Sequence, residues 1–239
     1  MGTSSKRNTS KQQEVQRIFD ALSNAIARHS LPPGTRLVEA EIVKALRANR
    51  NHVQAAIQRL ALQSIVTIEP NRGAHVSEPS VQEARDVFEA RRAVERGLVE
   101  SITPEKMKRH AKILEAHMQS EHGATAGNDR RAIIRELCNF HRVLGKASEN
   151  QVLSSILENL MLRSSLIVAL YQRNDIPACQ HTEHREILAA LEAGDNGKAA
   201  ELMLDHLNHL ESELQFEDEG KPAIDLCEAL ALENAKTPA

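Results

Sequence analysis

Aromatic residues are almost missing from this chain of 239 residues: four Phe, one Tyr and no Trp make up 2% of it. A core must therefore be filled by aliphatic side chains, which points to helix packing. Cysteine is as sparse. Cys138, Cys179 and Cys227 are scattered and odd in number, which argues against a disulfide framework and a cysteine-based zinc knuckle and leaves reduced thiols. No uninterrupted apolar run approaches the roughly 18 residues of a membrane span. The opening stretch MGTSSKRNTSKQQE lacks the hydrophobic region of a secretion signal. These absences predict a cytoplasmic protein.

What is present divides into two. With 41% hydrophobic residues the chain can hold two ordinary domains, each with its own core. The formal net charge of −3 conceals a split. Residues 1–79 carry 11 Lys and Arg against 6 Asp and Glu, a net of +5, while residues 80–239 carry 19 against 27, a net of −8. A basic domain favours phosphate contact and an acidic one is held away from it.

The basic part holds the most informative stretch, Leu37 to Gly73. Val38, Ile42, Val43 and Leu46 are spaced as one helical stripe, and Val53, Ile57, Leu60 and Ala61 as another. Only Arg47, Ala48 and Asn49 separate the stripes. Asn49 can accept a hydrogen bond from the next turn, so the second helix should begin at Arg50. The β-branched run Ile65–Ile68, the turn Pro70-Asn71-Arg72-Gly73 and a return strand Ala74–Val76 then make a hairpin. Two short helices at a tight turn followed by a hairpin read as a winged helix-turn-helix, a DNA-reading module. A preceding helix carries Val15, Phe19, Leu22 and Ile26 on one face. Residues 1–13 read as a disordered polar tail, 14–78 as the DNA-binding domain, and Ser77–Ser80 as a linker.

Beyond the linker no segment alternates as a strand. The expected fold is mainly α: the winged module, then an antiparallel all-helical bundle over 79–217 with helices near 80–102, 104–122, 130–148, 150–172, 178–193 and 196–217. Residues 218–239 form a tail without an assigned role, with one short helix expected around 224–232.

The histidines of the bundle form a pattern. Gly194-Asp195 is a helix stop followed by an N-cap, so the flanking helices should fold back as a hairpin. His184 precedes Asp195 by 11 residues and His206 follows it by 11, so both stand at one height, about 16 Å from the turn. His181 and His209 repeat this symmetry one turn further out. A third helix carrying His141 would complete a three-histidine metal site with open positions; solvated or core histidines are the alternative.

In the basic domain, Pro32-Pro33-Gly34, Arg36-Leu37, Glu39, Glu41, Arg50, Val53, Ala56, Leu60 and Asn71-Arg72-Gly73 resemble the GntR family of bacterial transcription regulators. In the bundle, FEARRAVERG with Glu89, Arg91 and Glu95, then Phe140-His141 with Asn150, His184 with Gly194-Asp195, and His206-Leu207 resemble the FCD effector domain of that family's FadR branch. The resemblance implies a homodimer on a palindromic double-stranded DNA operator, not an enzyme. It further implies a small carboxylate effector in the helical domain, held over a divalent metal such as zinc or nickel. Arg36, Arg47, Asn49, Arg50, Asn51, His52, Gln54, Arg72 and Gly73 are the expected DNA-contacting set. His141, His184 and His206 are the expected metal ligands, with Arg91 and Arg163 as effector arginines that could equally be salt-bridge residues.

Three departures stand out. Arg47 takes a turn position where the family has Gly, Gln54-Ala55 replaces an Arg-Glu pair, and Leu137 stands where the metal-binding members have Asp. Leu137 leaves open a metal site with three protein ligands or an apolar effector pocket without metal. A helical half that only dimerises is a further alternative. A metalloenzyme is a weaker one, since no Glu-x-x-His pair or His-Glu-x-x-His motif occurs.

Overall fold

A computed structural model describes residues 3–127, 129–172 and 181–216. The amino-terminal domain runs α1 (Thr3–Ala27), β1 (Arg36–Leu37), α2 (Glu39–Leu46), α3 (Arg50–Leu62), β2 (Val66–Glu69) and β3 (Gly73–Val76). Helix α3 starts at Arg50 because the Asn49 side chain accepts a 2.8 Å hydrogen bond from the Asn51 amide. Arg47 closes α2 with a left-handed backbone, φ 49° and ψ 46°, which returns the chain within three residues. The wing is a three-stranded antiparallel sheet in the order β1-β3-β2. Its outer strand β1 was not expected: Arg36 pairs with His75 and Leu37 with Ala74. At the hairpin tip Asn71 and Gly73 both take positive φ, 66° and 82°.

One expectation is corrected here. Thr3–Thr9 and the residues after it to Gln13 belong to α1 and are not a disordered tail. Lys6, Arg7, Lys11, Gln12 and Gln13 in this stretch are good helix formers, and the amphipathic segment from Val15 onward gives them a helix to extend.

The second domain contains α4 (Val81–Glu100), α5 (Pro104–Thr125), α6 (Arg130–Ala147), α7 (Gln151–Tyr171), α8 (His181–Glu192) and α9 (Asn196–Ser212). Ser80, Thr103, Asn150 and Asp195 cap their helices through side-chain oxygens. Gly194, at φ +76°, turns α8 into α9. Asn196 ties that turn to the end of α4, with Nδ2 donating to the carbonyls of Val99 and Ile102. The expected helix start at 178–180 and the tail beyond Phe216 lie outside the described residues.

Helix α7 is long and apolar enough to cross a membrane by length and composition, yet its apolar surface is used inside the protein. Leu160 and Ile167 belong to the bundle core, and Leu162 and Leu166 to the core of the winged domain beside Ile18, Leu22 and Val53. Polar ties reinforce the contact. His29 Nε2 lies 3.1 Å from the Ser165 carbonyl, and Asn159 Nδ2 donates to the Gln63 carbonyl at 3.1 Å. The linker is pinned as well: Tyr171 donates its hydroxyl to the Pro79 carbonyl at 2.8 Å.

The Asn49 cap generates a prediction. Asn49→Ala should lower unfolding stability by about 1 kcal/mol, while Asn49→Ser should retain most of it. Urea denaturation followed by circular dichroism measures the difference.

Candidate metal centre and DNA-reading face

Three helices bring His141, His184 and His206 together at the centre of the bundle. His141 comes from α6, His184 from α8 and His206 from α9, and α4 and α5 supply partners. The three are 2%, 0% and 1% exposed, and one potential ligand atom from each lies within 4.8 Å of the other two. The hairpin symmetry read from the sequence holds, since the rings of His184 and His206 face one another at 4.8 Å.

Each imidazole is held from behind by a carboxylate. His141 Nδ1 is 2.5 Å from Glu95 Oε2, His184 Nδ1 is 2.9 Å from Glu121 Oε2, and His206 Nδ1 is 2.7 Å from Glu183 Oε2. An ionised carboxylate only accepts, so each ring donates from Nδ1 and Nε2 is the nitrogen left to bind a cation. Nε2 of His141 and Nε2 of His206 stand 3.4 Å apart. Two nitrogens bound to one tetrahedral zinc at about 2.0–2.1 Å would be about 3.3 Å apart.

Electrostatics fit the same assignment. Burial alone would raise the Glu95 carboxyl, but Arg91 and His141 outweigh it and hold it at about 2. Glu121 and Glu183 are likewise held at about 2 against burial, by His117 and His184 and by His206 and His209 respectively. Burial pushes His141 down to about 4 and His184 to about 3. Neutral imidazoles backed by charged carboxylates are the protonation states a cation requires.

The outer histidines serve the carboxylates. His181 Nδ1 lies 2.6 Å from Glu121 Oε1, and His209 Nδ1 lies 2.7 Å from Glu183 Oε1. Phe140 fixes the His184 ring by stacking at 3.8 Å between centroids. Glu121, Glu183 and His117 were not singled out from the sequence. A signal existed: Leu114, His117 and Glu121 fall at i, i+3 and i+7 on the buried face of α5.

The two effector arginines part company. Arg91 is buried, bonds Glu95 Oε1 at 2.7 Å, and lines a cavity of about 30 Å³ beside His141. Its Nη2 and the hydroxyls of Ser164 and Ser165 in the same wall are buried without a hydrogen-bond partner among the described residues. Leu137 forms an apolar part of that wall. Arg163 is not brought into the site. It faces α4, where Nη2 bonds Glu83 Oε1 at 2.6 Å, so its role is an interhelical ion pair.

On the winged domain Arg36, Arg47, Arg50, Asn51, Arg72 and Gly73 are exposed on the recognition helix, its turn and the wing. Arg50 Nε bonds Glu39 Oε2 at 2.9 Å, and Gln54 Nε2 bonds the same carboxylate at 3.0 Å. Arg72 bonds Glu69 at 2.9 Å. Asn49 spends its side chain on the helix cap. His52 is half-buried with Nδ1 closed off from solvent, so that ring nitrogen does not project toward DNA.

The domain pairing is matched by known families. Residues 14–76 match the gntR family of bacterial regulatory proteins, and residues 86–209 match the FCD domain. The chain belongs to the FCD-containing GntR regulators. Curated relatives extend over most of its length. A transcriptional repressor assigned to a D-xylose utilization operon in Paenarthrobacter nicotinovorans is 27% identical over 87% of this chain and 91% of its own. The repressor RspR of Escherichia coli K12 is 24% identical over 82% of this chain and 86% of its own. A solved GntR regulator from Rhodococcus sp. RHA1 superposes with a TM-score of 0.72 at 25% identity, covering 84% of this chain and 96% of that one. The GntR/FCD chain is thus a DNA-binding transcriptional regulator, as its families and named relatives are, and not an enzyme.

The buried pair on α4 yields a test. Glu95→Leu should cost about 3–5 kcal/mol, because it strands the Arg91 guanidinium in the core. Adding Arg91→Met should recover most of that loss, as urea titrations of the single and double variants will show.

Proposed function

We propose that this GntR/FCD regulator is a repressor that binds a palindromic operator as a homodimer and senses a small carboxylate over a divalent metal held by His141, His184 and His206. One observation carries the sensing half: three buried imidazoles, each carboxylate-backed at Nδ1, present their remaining nitrogens to a common point. Such carboxylate–histidine pairs fix ring orientation and raise ligand basicity. Zinc and nickel suit an all-imidazole set. With Leu137 contributing no ligand atom, three protein nitrogens leave coordination positions for water or an effector carboxylate. The metal would supply charge and a fixed anchor for that carboxylate.

Arg91 stands ready on the other side. Arg91 lines the cavity beside His141, and its Nη2, buried without a partner, can take a carboxylate oxygen while Nε remains on Glu95. An effector meeting the metal and Arg91 at once would draw α4, α6, α8 and α9 into one packing. Helix α7, whose Leu162 and Leu166 sit in the winged core, would pass that change to the DNA-binding domain. The repressor reading rests on the named relatives. Its site of action is the cytoplasm, where the operator is.

On DNA, Arg50 and Gln54 at the start of α3 are placed to enter the major groove, with Arg72 and Gly73 on the wing against the flanking backbone. Arg36 and Arg47 contribute phosphate contacts. Arg50→Ala should weaken operator binding by about 1–3 kcal/mol if the guanidinium reads a guanine, and weaken random duplex far less. Gel-shift titration on both duplexes checks this; equal losses would make Arg50 a phosphate contact.

The metal reading is tested on protein purified without an affinity tag and then offered zinc or nickel. Metal analysis should find close to one ion per chain, none in the His184→Ala/His206→Ala variant, and about 10–100-fold weaker binding in Glu121→Leu. In a screen of small carboxylates, a compound that stabilises the metal-loaded protein should shift operator affinity by about 1–3 kcal/mol in wild type and not in Arg91→Ala. Wild-type protein that stays empty in zinc and nickel would remove the metal.

A further inference from the structure

A groove of about 700 Å³ runs between the two domains, with Phe19 and Ser23 of α1 and Arg28 just after it on one wall and Arg142 of α6 and Leu162 of α7 on the other. Its floor reaches Cys138, Met161 and Ser165. The same three residues line the small cavity that borders His141 and Arg91. One layer of side chains therefore separates an open interdomain groove from a histidine centre that is closed to solvent.

Buried polar atoms mark a line through that layer. Among the described residues eight buried side-chain polar atoms have no hydrogen-bond partner, and four of them belong to residues that line the groove or the cavity. Ser23 lines the groove, Ser165 lines both spaces, and Ser164 and Arg91 line the inner cavity, each with a polar atom closed off from solvent. Unsatisfied buried groups are costly and need an explanation. A route that carries water, and a polar solute with it, gives all four a partner in turn. The partition is also the most yielding part of the wall. Met161 is 2% exposed and closes the layer, but its unbranched thioether changes rotamer more readily than Phe88, Leu137 or Leu210 beside it.

We infer that the interdomain groove is the access route to the histidine centre, and that Met161, flanked by Cys138 and Ser165, is the movable partition. This rests on the metal-sensing reading above. Because α1 of the winged domain forms one wall of the groove, passage is tied to how closely that domain docks on α6 and α7. Whatever parts the domains opens the route, and whatever presses them together shuts it.

The test follows cobalt(II) uptake by full-length protein stripped with a chelator, using the visible ligand-field absorption in a stopped-flow instrument. Met161→Ala should speed both uptake and chelator-driven release by about tenfold, and Ser165→Leu should slow both by a similar factor, with the final absorption and the affinity unchanged. Met161→Leu, close to wild type in volume, should fold as wild type does and slow exchange, since its branched side chain moves less freely. Cobalt binding at one rate in all four proteins would overturn the route while leaving the centre intact. A change in affinity without a change in rate would make these residues part of the centre's packing and overturn the route as well. Wild-type protein that never develops the cobalt spectrum would overturn the centre and the route together.

Discussion

Three imidazole–carboxylate bonds hold the centre of the helical domain, and much of its geometry follows from them. Burying three histidines with the Glu95 and Glu121 carboxylates without those bonds would cost several kcal/mol per group. With the bonds made, each glutamate becomes a fixed strut between helices: Glu95 ties α4 to α6, Glu121 ties α5 to α8, and Glu183 on α8 reaches α9. The aliphatic layers around them supply most of the burial but little direction. The polar struts set the rotation of each helix about its own axis, because a turn of one residue would swing a carboxylate about 100° from its histidine.

The sequence made the DNA-binding domain legible because its signals are local. The Asn49 cap, the Arg47 turn and the β-branched wing each depend on neighbours within a few residues, and each appears where expected. Strand β1 was missed for the opposite reason. Its two residues have no pattern of their own and exist as a strand because β3 passes beside them. The hairpin of α8 and α9 was legible because a single turn fixes the height of His184 and His206. Glu121 was not singled out: its partners on α8 are 60 and 63 residues away, and the one local signal is its place on the same face of α5 as Leu114 and His117. Arg163 misled in a similar way. A cation on an apolar helix needs a partner, but Glu83, 80 residues earlier, supplies it.

Helix α7 stands where the domains meet. On one side Met161, Ser164 and Ser165 face the cavity by His141, and on another Leu162 and Leu166 enter the winged core. Such a helix cannot rotate or slide without disturbing both neighbours, since close-packed cores change between discrete arrangements and do not deform continuously. The winged domain is therefore no independent head on a tether. Its resting orientation is a property of the bundle, fixed by contacts at Gln63, His29 and Pro79 as well as by apolar packing.

Glu39 has a different bearing, on how DNA is searched. Its carboxylate holds both Arg50 and Gln54, the two side chains proposed to enter the major groove. On that reading a duplex would bring phosphates near the negative charge and draw the two side chains away from it, at a cost equal for every sequence. Only base edges with acceptors at matching positions return what is lost. An acidic residue beside the proposed readers would thus shorten each stay on unrelated DNA, leaving the molecule quicker to move on and a larger share of it free to find its site.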